Sequence, residues 1–88
     1  MNVTFKEGFA KDLRAVRDKS LLRRVRAVIE EFERAQKPDE VVGLKKLKGG
    51  GNYYRVRIGD YRVGLQIEGD SVAFMRFLDR KEIYRYFP

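Results

Sequence analysis

Two short stretches around a Gly-Asp pair, YYRVRI at residues 53–58 and YRVGL at 61–65, carry arginines at alternating positions. A guanidinium is a planar fork that grips a phosphate through two donors and stacks on flat rings. If the stretches pair as antiparallel strands, Arg55, Arg57 and Arg62 share one face. Like charges facing each other across strands destabilise a sheet, so a face with no use for them would intersperse Glu or Thr. Arg76, in a third apolar stretch, is placed to join them. Tyr53, Tyr84 and Tyr86 offer stacking platforms, and arginines interleaved with aromatics on an open sheet face point to single-stranded nucleic acid. The competing reading is a solvated face whose arginine stems cover apolar surface. The chemistry legible at this level is phosphate binding.

Histidine and cysteine are both absent. That removes the usual general base of nucleases and hydrolases, together with disulfides and thiolate metal sites. No carboxylate cluster is apparent either, so neither metal nor cofactor is expected. Catalysis, if there is any, falls to Arg, Lys, Tyr, Ser, Thr or a carboxylate. The net charge is +7, and residues 45–88 hold ten basic and five acidic side chains against ten and eight in residues 1–44. Such a field favours nucleic acid or an acidic protein partner. Ordinary solubilising charge is the alternative. No apolar run approaches the roughly 20 residues of a membrane span, and the start, MNVTFKEGF, lacks a signal-peptide pattern. A cytoplasmic protein with no membrane association is expected.

The elements that must position these side chains follow from periodicity. Residues 2–6 alternate weakly and read as a short strand. Phe9, Leu13 and Val16 then recur at helical spacing. After a break at residues 18–20, with Ser20 as the expected N-cap, a longer stripe of Leu21, Leu22, Val25, Val28, Ile29 and Phe32 runs to about Gln36 and stops before Pro38. The next connection spans about sixteen residues, long for a small domain. It carries Lys45, Lys46 and Lys48 before three glycines, which reads either as a phosphate-contacting loop or as a plain flexible connector. From Tyr53 the period is two, with Tyr54, Val56, Ile58, Tyr61, Val63, Leu65 and Ile67 inward. Gly59-Asp60 and Gly69-Asp70 make tight turns, the first with type II′ geometry. SVAFMRFLD reads as a third, central antiparallel strand, and RKEIYRYFP as a short helical or irregular tail in which Phe87 pins the chain to the sheet. One α+β domain, 1–88, is expected: an antiparallel sheet of about four strands covered on one face by an N-terminal helical hairpin.

The run LKGGGNYYRVRIGDYRVGL, followed by DRKEIYR, resembles the RelE/ParE superfamily of small bacterial and archaeal toxins. The resemblance covers the chain in element order, with its specificity in residues 47–85. It implies one of two activities: RelE-like members are ribosome-dependent mRNA endonucleases, and ParE-like members share the fold but poison DNA gyrase. In the RelE pattern Arg55, Arg57, Arg62, Arg80 and Tyr84 occupy the catalytic positions, and their presence favours that branch. The implied reaction is metal-free attack of a ribose 2′-OH on the adjacent phosphorus. Arg62 and Arg55 hold the phosphate, Arg80 serves the leaving oxygen and Tyr84 stacks on a base.

Two departures stand out. Arg57 replaces a lysine that the family offers as base, and an arginine, which keeps its proton throughout the physiological range, is a poor proton acceptor. Asp79 stands where many relatives carry histidine. Glu82 is the substitute base; its alternative is a surface carboxylate without a catalytic part. Lys45, Lys46, Lys48, Tyr53, Arg76 and Tyr86 are the further candidates for nucleic-acid contact. The resemblance also implies a cognate antitoxin, acidic or amphipathic, that wraps the toxin, as well as ribosome and mRNA as partners. The toxin itself is then a monomer or one part of a hetero-oligomer. A basic RNA-binding module without toxicity is the remaining reading.

Overall fold

The computed structural model describes all residues from 1 to 88. The chain runs β1 (Asn2–Phe5), α1 (Glu7–Arg14), α2 (Lys19–Arg34), a 3-10 turn (Pro38–Glu40), β2 (Leu44–Lys46), β3 (Tyr53–Ile58), β4 (Tyr61–Glu68), β5 (Ser71–Asp79) and α3 (Arg80–Tyr86). One five-stranded sheet has the order β1-β5-β4-β3-β2. β2 through β5 pair antiparallel, and β1 pairs parallel to β5. The α+β architecture with a helical hairpin on one face is as the sequence implies. The sheet has one more strand than expected and is mixed. Strand direction is invisible to a period of two, and the three residues of β2 are too few to show a period at all.

The core lies between the hairpin and one sheet face. Val56, Ile58, Val63, Leu65, Ile67, Val72, Phe74 and Phe77 meet Phe9 of α1 and Val25 and Phe32 of α2. Helix α2 begins two residues earlier than Ser20 would set it. The Asp18 carboxylate accepts from the backbone N–H of Ser20 at 2.9 Å and of Leu21 at 3.2 Å, and is the cap. Aspartate supplies an acceptor stronger than the serine hydroxyl for the same unpaired donors. The helix ends at Arg34 because Ala35 turns extended, and Pro38 opens the following 3-10 turn instead of stopping the helix directly. Gly59 and Gly69 both sit at φ +59, the first position of tight hairpin turns, with no positive φ at the aspartates that follow. That is type II′ geometry.

The sheet face away from the hairpin is not open. Helix α3 folds back over β4 and β5, with Ile83 and Phe87 buried. A register shift at Gly64/Leu65 sets Arg76 opposite Gly64, while Leu65 pairs with Phe74. β1 ends at Phe5, so the far half of β5 has a bare edge, and α1 closes it. Asp12 accepts from the Phe77 N–H at 2.9 Å and from Arg76 at 2.8 and 3.2 Å. With 10% of its side chain exposed, Asp12 has little water to fall back on. Asp12→Ala strips acceptors from a backbone donor and a half-buried guanidinium, and should cost about 2 kcal/mol. Chemical denaturation would measure this, with an unchanged m-value expected.

Candidate functional site: a basic cleft on the sheet

Strand pairing assembles the site. Lys45 on β2 lies opposite Arg55 on β3, and Arg57 lies opposite Arg62 on β4. Residues directly opposite share a face. Lys45, Arg55, Arg57 and Arg62, with Gly43, line a cleft of about 100 Å³ that has no hydrophobic side chain in its wall. Lys45 thus belongs to a strand and to the cleft, and is not part of a mobile lysine loop. Its neighbour Lys46, one residue on, faces the other way, with its ammonium 5.9 Å from the Tyr54 ring centre. Lys48 lies past the end of β2, exposed and outside the cleft.

The four cationic walls differ in their freedom. Arg57 is exposed. Arg55 is half-buried; its Nη1 donates to the Tyr84 hydroxyl at 2.5 Å, and its guanidinium lies 5.7 Å from the centre of that ring. Tyr84, 60% exposed, therefore steadies Arg55 and still presents most of its ring to solvent. Arg62 is the unusual one, at 8% exposure. Its Nη1 donates to the carbonyls of Gly59 and Tyr61 at 3.2 and 3.0 Å, and its buried Nε has no partner. An arginine at an outward strand position reads as solvated in the sequence; the fold buries it. An unmet buried donor costs about 1–3 kcal/mol, and a phosphate oxygen in the cleft is the kind of group that would offset it.

What buries this face is the tail. A β-carbon at Gly64 would fall 2.7–2.9 Å from ring atoms of Phe87, closer than packed atoms approach. Glycine is therefore required where Phe87 docks, and the ring also meets Tyr53 edge-on at 5.6 Å between centres. Tyr53 is thus a buttress for the tail and not a free stacking platform. Gly64→Ala should lift the Phe87 end of α3 and release Tyr84 from Arg55. We expect the affinity of the cleft for a short phosphate ligand to fall about tenfold, the size of a 1.4 kcal/mol loss of positioning, with most of the global stability kept. Tail dislodgement would appear as faster amide exchange confined to residues 80–88.

The remaining candidates lie outside the cleft. Arg76 is held by Asp12, with its guanidinium 5.8 Å from the Tyr86 ring centre. The Asp12 hydrogen bonds hold its pKa above the ordinary arginine value against an opposing effect of burial. Tyr86 is 53% exposed. Arg80 is exposed at the start of α3, and its N–H donates to the Asp60 carbonyl at 2.8 Å, tying α3 to the β3–β4 turn that also receives Arg62. Glu82 lines a different hollow with Asp12, Val16, Tyr61 and Leu78. The structure does not bring it to the arginines. No helix is long and apolar enough to cross a membrane.

A model of the family described as the ParE toxin of type II toxin-antitoxin system, parDE, matches residues 3–84. The chain belongs to the RelE/ParE toxin family. Among family members, Toxin RelE3 of Methanocaldococcus jannaschii is 42% identical over 89 residues, covering all of both chains. A chain of the RelB-RelE antitoxin-toxin complex from Methanococcus jannaschii superposes with a TM-score of 0.82 at 40% identity, over 97% of this chain and 99% of that one. One from the archaeal RelE-RelB complex of Pyrococcus horikoshii OT3 gives 0.72 at 26% identity, over 90% and 93%. Within the RelE/ParE family this chain is of RelE type, as the run from Leu47 to Arg85 suggests.

Proposed function

We propose that the chain is the toxin of a toxin–antitoxin pair and that it cuts mRNA on the ribosome. The observation that carries this is the cleft, where four basic side chains from three strands converge and one of them, Arg62, is buried with a donor unmet. In the proposed reaction the 2′-hydroxyl gives its proton to water as its oxygen attacks the neighbouring phosphorus, the bond to the 5′-oxygen breaks, and that oxygen takes up a proton from water, so that a cyclic phosphate and a 5′-hydroxyl result. Arg62 and Arg55 hold the phosphate oxygens and stabilise the charge that develops there. Arg80, exposed at the start of α3 and tied by its backbone to the β3–β4 turn, is the cation nearest in role to the leaving oxygen, although its side chain does not line the cleft, and Tyr84 stacks on a base. No carboxylate or histidine lines the cleft, so it supplies charge stabilisation and no strong base. Rate must then come from in-line alignment of the substrate, which a ribosome-held codon provides. This is a physical reason for ribosome dependence, and it leaves the proton of the 2′-OH to water.

The relatives from Methanococcus and Pyrococcus are known as complexes with RelB, which supports an antitoxin partner here. Phe5, Val42, Tyr84 and Tyr86 are the large apolar or aromatic side chains left exposed on a protein of net charge +7. An acidic, amphipathic segment suits that surface, with the toxin a monomer when released and the cytoplasm, where ribosomes work, its compartment. Incubation of purified protein with a defined mRNA, with and without ribosomes, tests the activity. New 5′ ends inside codons only when ribosomes translate are expected; cuts on naked RNA, or none at all, count against it. One observation favours a second reading: the matching family model is that of the ParE toxins. Inhibition of gyrase supercoiling without RNA cleavage would select it.

A further inference from the structure

The four cations of the cleft wall are not chemically equivalent. A guanidinium offers hydrogen bonds and keeps its proton, whereas an ammonium can also give its proton away. Arg55, Arg57 and Arg62 are of the first kind, and Lys45 is the one wall group of the second. The departing 5′-oxygen needs a proton. Solvent can bring it, but a donor held in the cleft brings it faster. Arg80 does not line the cleft, and the Tyr84 hydroxyl is taken up by Arg55.

Lys45 is fixed at its backbone and free at its tip. Val41 is buried, its carbonyl accepts from the Leu44 N–H at 3.4 Å, and Gly43 turns the chain into β2 at φ +82. Past the strand, the Leu47 N–H donates to the Tyr53 carbonyl at 2.9 Å. Leu44 packs against the core, so its neighbour Lys45 points into the cleft. The ammonium has no carboxylate partner, because the two ion pairs of the chain are Arg26–Glu30 and Arg76–Asp12. Strands β2 and β4 flank β3, which sets Lys45 and Arg62 two strand spacings, about 10 Å, apart across the sheet. A phosphate between them meets Arg62 on one side and Lys45 on the other. In an in-line reaction the attacking and leaving oxygens likewise take opposite sides of the phosphorus.

We propose that Lys45 is the general acid of the cleavage: its ammonium protonates the departing 5′-oxygen. The proposal rests on the reading of the chain as a nuclease. As the P–O5′ bond breaks, its electron pair goes to the oxygen, the Lys45 N–H bond breaks and an O–H bond forms. The amine is left neutral and regains a proton from water. Lys45 lies directly opposite Arg55, with Arg57 on the diagonal, so the transfer also removes one of four crowded like charges.

The test compares two leaving atoms. The scissile bond is mapped with the parent protein on ribosome-bound mRNA, and the same RNA is then made with a 5′-sulfur bridging that bond. A thiolate departs without a proton, so a proton donor is superfluous for it. Lys45 is exposed, and Lys45→Gln and Lys45→Arg should melt with the parent. On the oxygen RNA both variants should cut about 10²–10⁴ times more slowly, the range lost with a general acid. On the sulfur RNA Lys45→Arg, which keeps the charge, should cut as fast as the parent. Lys45→Arg at the parent rate on the oxygen RNA would show that charge alone is used and would overturn the proposal. So would an equal loss on both RNAs, which would give Lys45 a part in holding the strand. A parent that cuts neither RNA removes the nuclease reading and the proposal with it. A parent that cuts both, with no dependence on Lys45, removes the proposal alone.

Discussion

Arg62→Ala should cut ribosome-bound mRNA about 10²–10³ times more slowly than the parent, the usual consequence of removing one preorganised donor from a site of developing negative charge. The same variant should be as stable as the parent within about 1 kcal/mol. The two effects separate for a physical reason. Arg62 is nearly fully buried, lies directly opposite Arg57, and leaves its Nε unmet while Nη1 reaches two backbone carbonyls. Its removal forfeits those two bonds and some packing of the stem. It also abolishes a desolvated cation that faces another cation, a burden that a well-packed apolar residue relieves. Arg62→Met, which keeps the volume, should therefore melt at or above the temperature of the parent and cut no better than Arg62→Ala. A residue kept for stability would behave in the opposite way. Paired melting and cleavage measurements on the two variants decide between these.

Phe74→Ala is the substitution expected to cost most in stability. Phe74 has no exposed surface, and its ring lies 5.5 Å from Phe5, 5.2 Å from Phe9 and 5.6 Å from Phe32 between centres. It is the point where β1, α1 and α2 meet β5. Truncating a buried phenylalanine costs about 3–5 kcal/mol, whereas a domain of this length has roughly 4–13 kcal/mol in all. The melting temperature should fall by at least about 12 °C, with the far-ultraviolet helical signal lost in the same transition as the tertiary signal. Phe74→Leu, which keeps most of the apolar volume, should recover more than half of the loss. A fall of only a few degrees for Phe74→Ala would mean that the hairpin is held to the sheet by something other than this aromatic cluster.

Much of this arrangement is written in local pattern. The period of two from Tyr53 to Ile67 places Val56, Ile58, Val63 and Leu65 in the core, and helical spacing places Phe9, Val25 and Phe32 against them. The arginine alternation in the same strands brings Arg55, Arg57 and Arg62 to one wall. What escapes is what depends on distant parts of the chain. Lys45 reaches the cleft through a three-residue strand, too short to show a period and disguised by lysines and glycines that read as a loop. The burial of Arg62 and the covered face depend on α3 and on Phe87 docking where Gly64 has no side chain; neither partner announces the other in sequence. Arg76 alternates correctly with the other arginines, yet Asp12, an unremarked residue on α1, takes its guanidinium away from the cleft. Glu82, attractive as the carboxylate that could replace the missing base, faces the hollow at the α1 side. Spacing along one element cannot tell which side of a short helix faces a site.

The claim on which the account depends is that the cleft is a preformed phosphate site with Arg62 at its centre. The most direct measurement is a titration of the protein with a short oligoribonucleotide ending in a 3′-phosphate, following arginine Nε–H resonances by NMR. The expected result is a saturable shift of the Arg62 Nε–H, accompanied by Arg55 and Arg57 and lost in Arg57→Gln, with Arg76 unmoved in its bond to Asp12. An Arg62 signal that stays fixed at saturating ligand, with the shifts falling on Arg76 or elsewhere, would contradict the account.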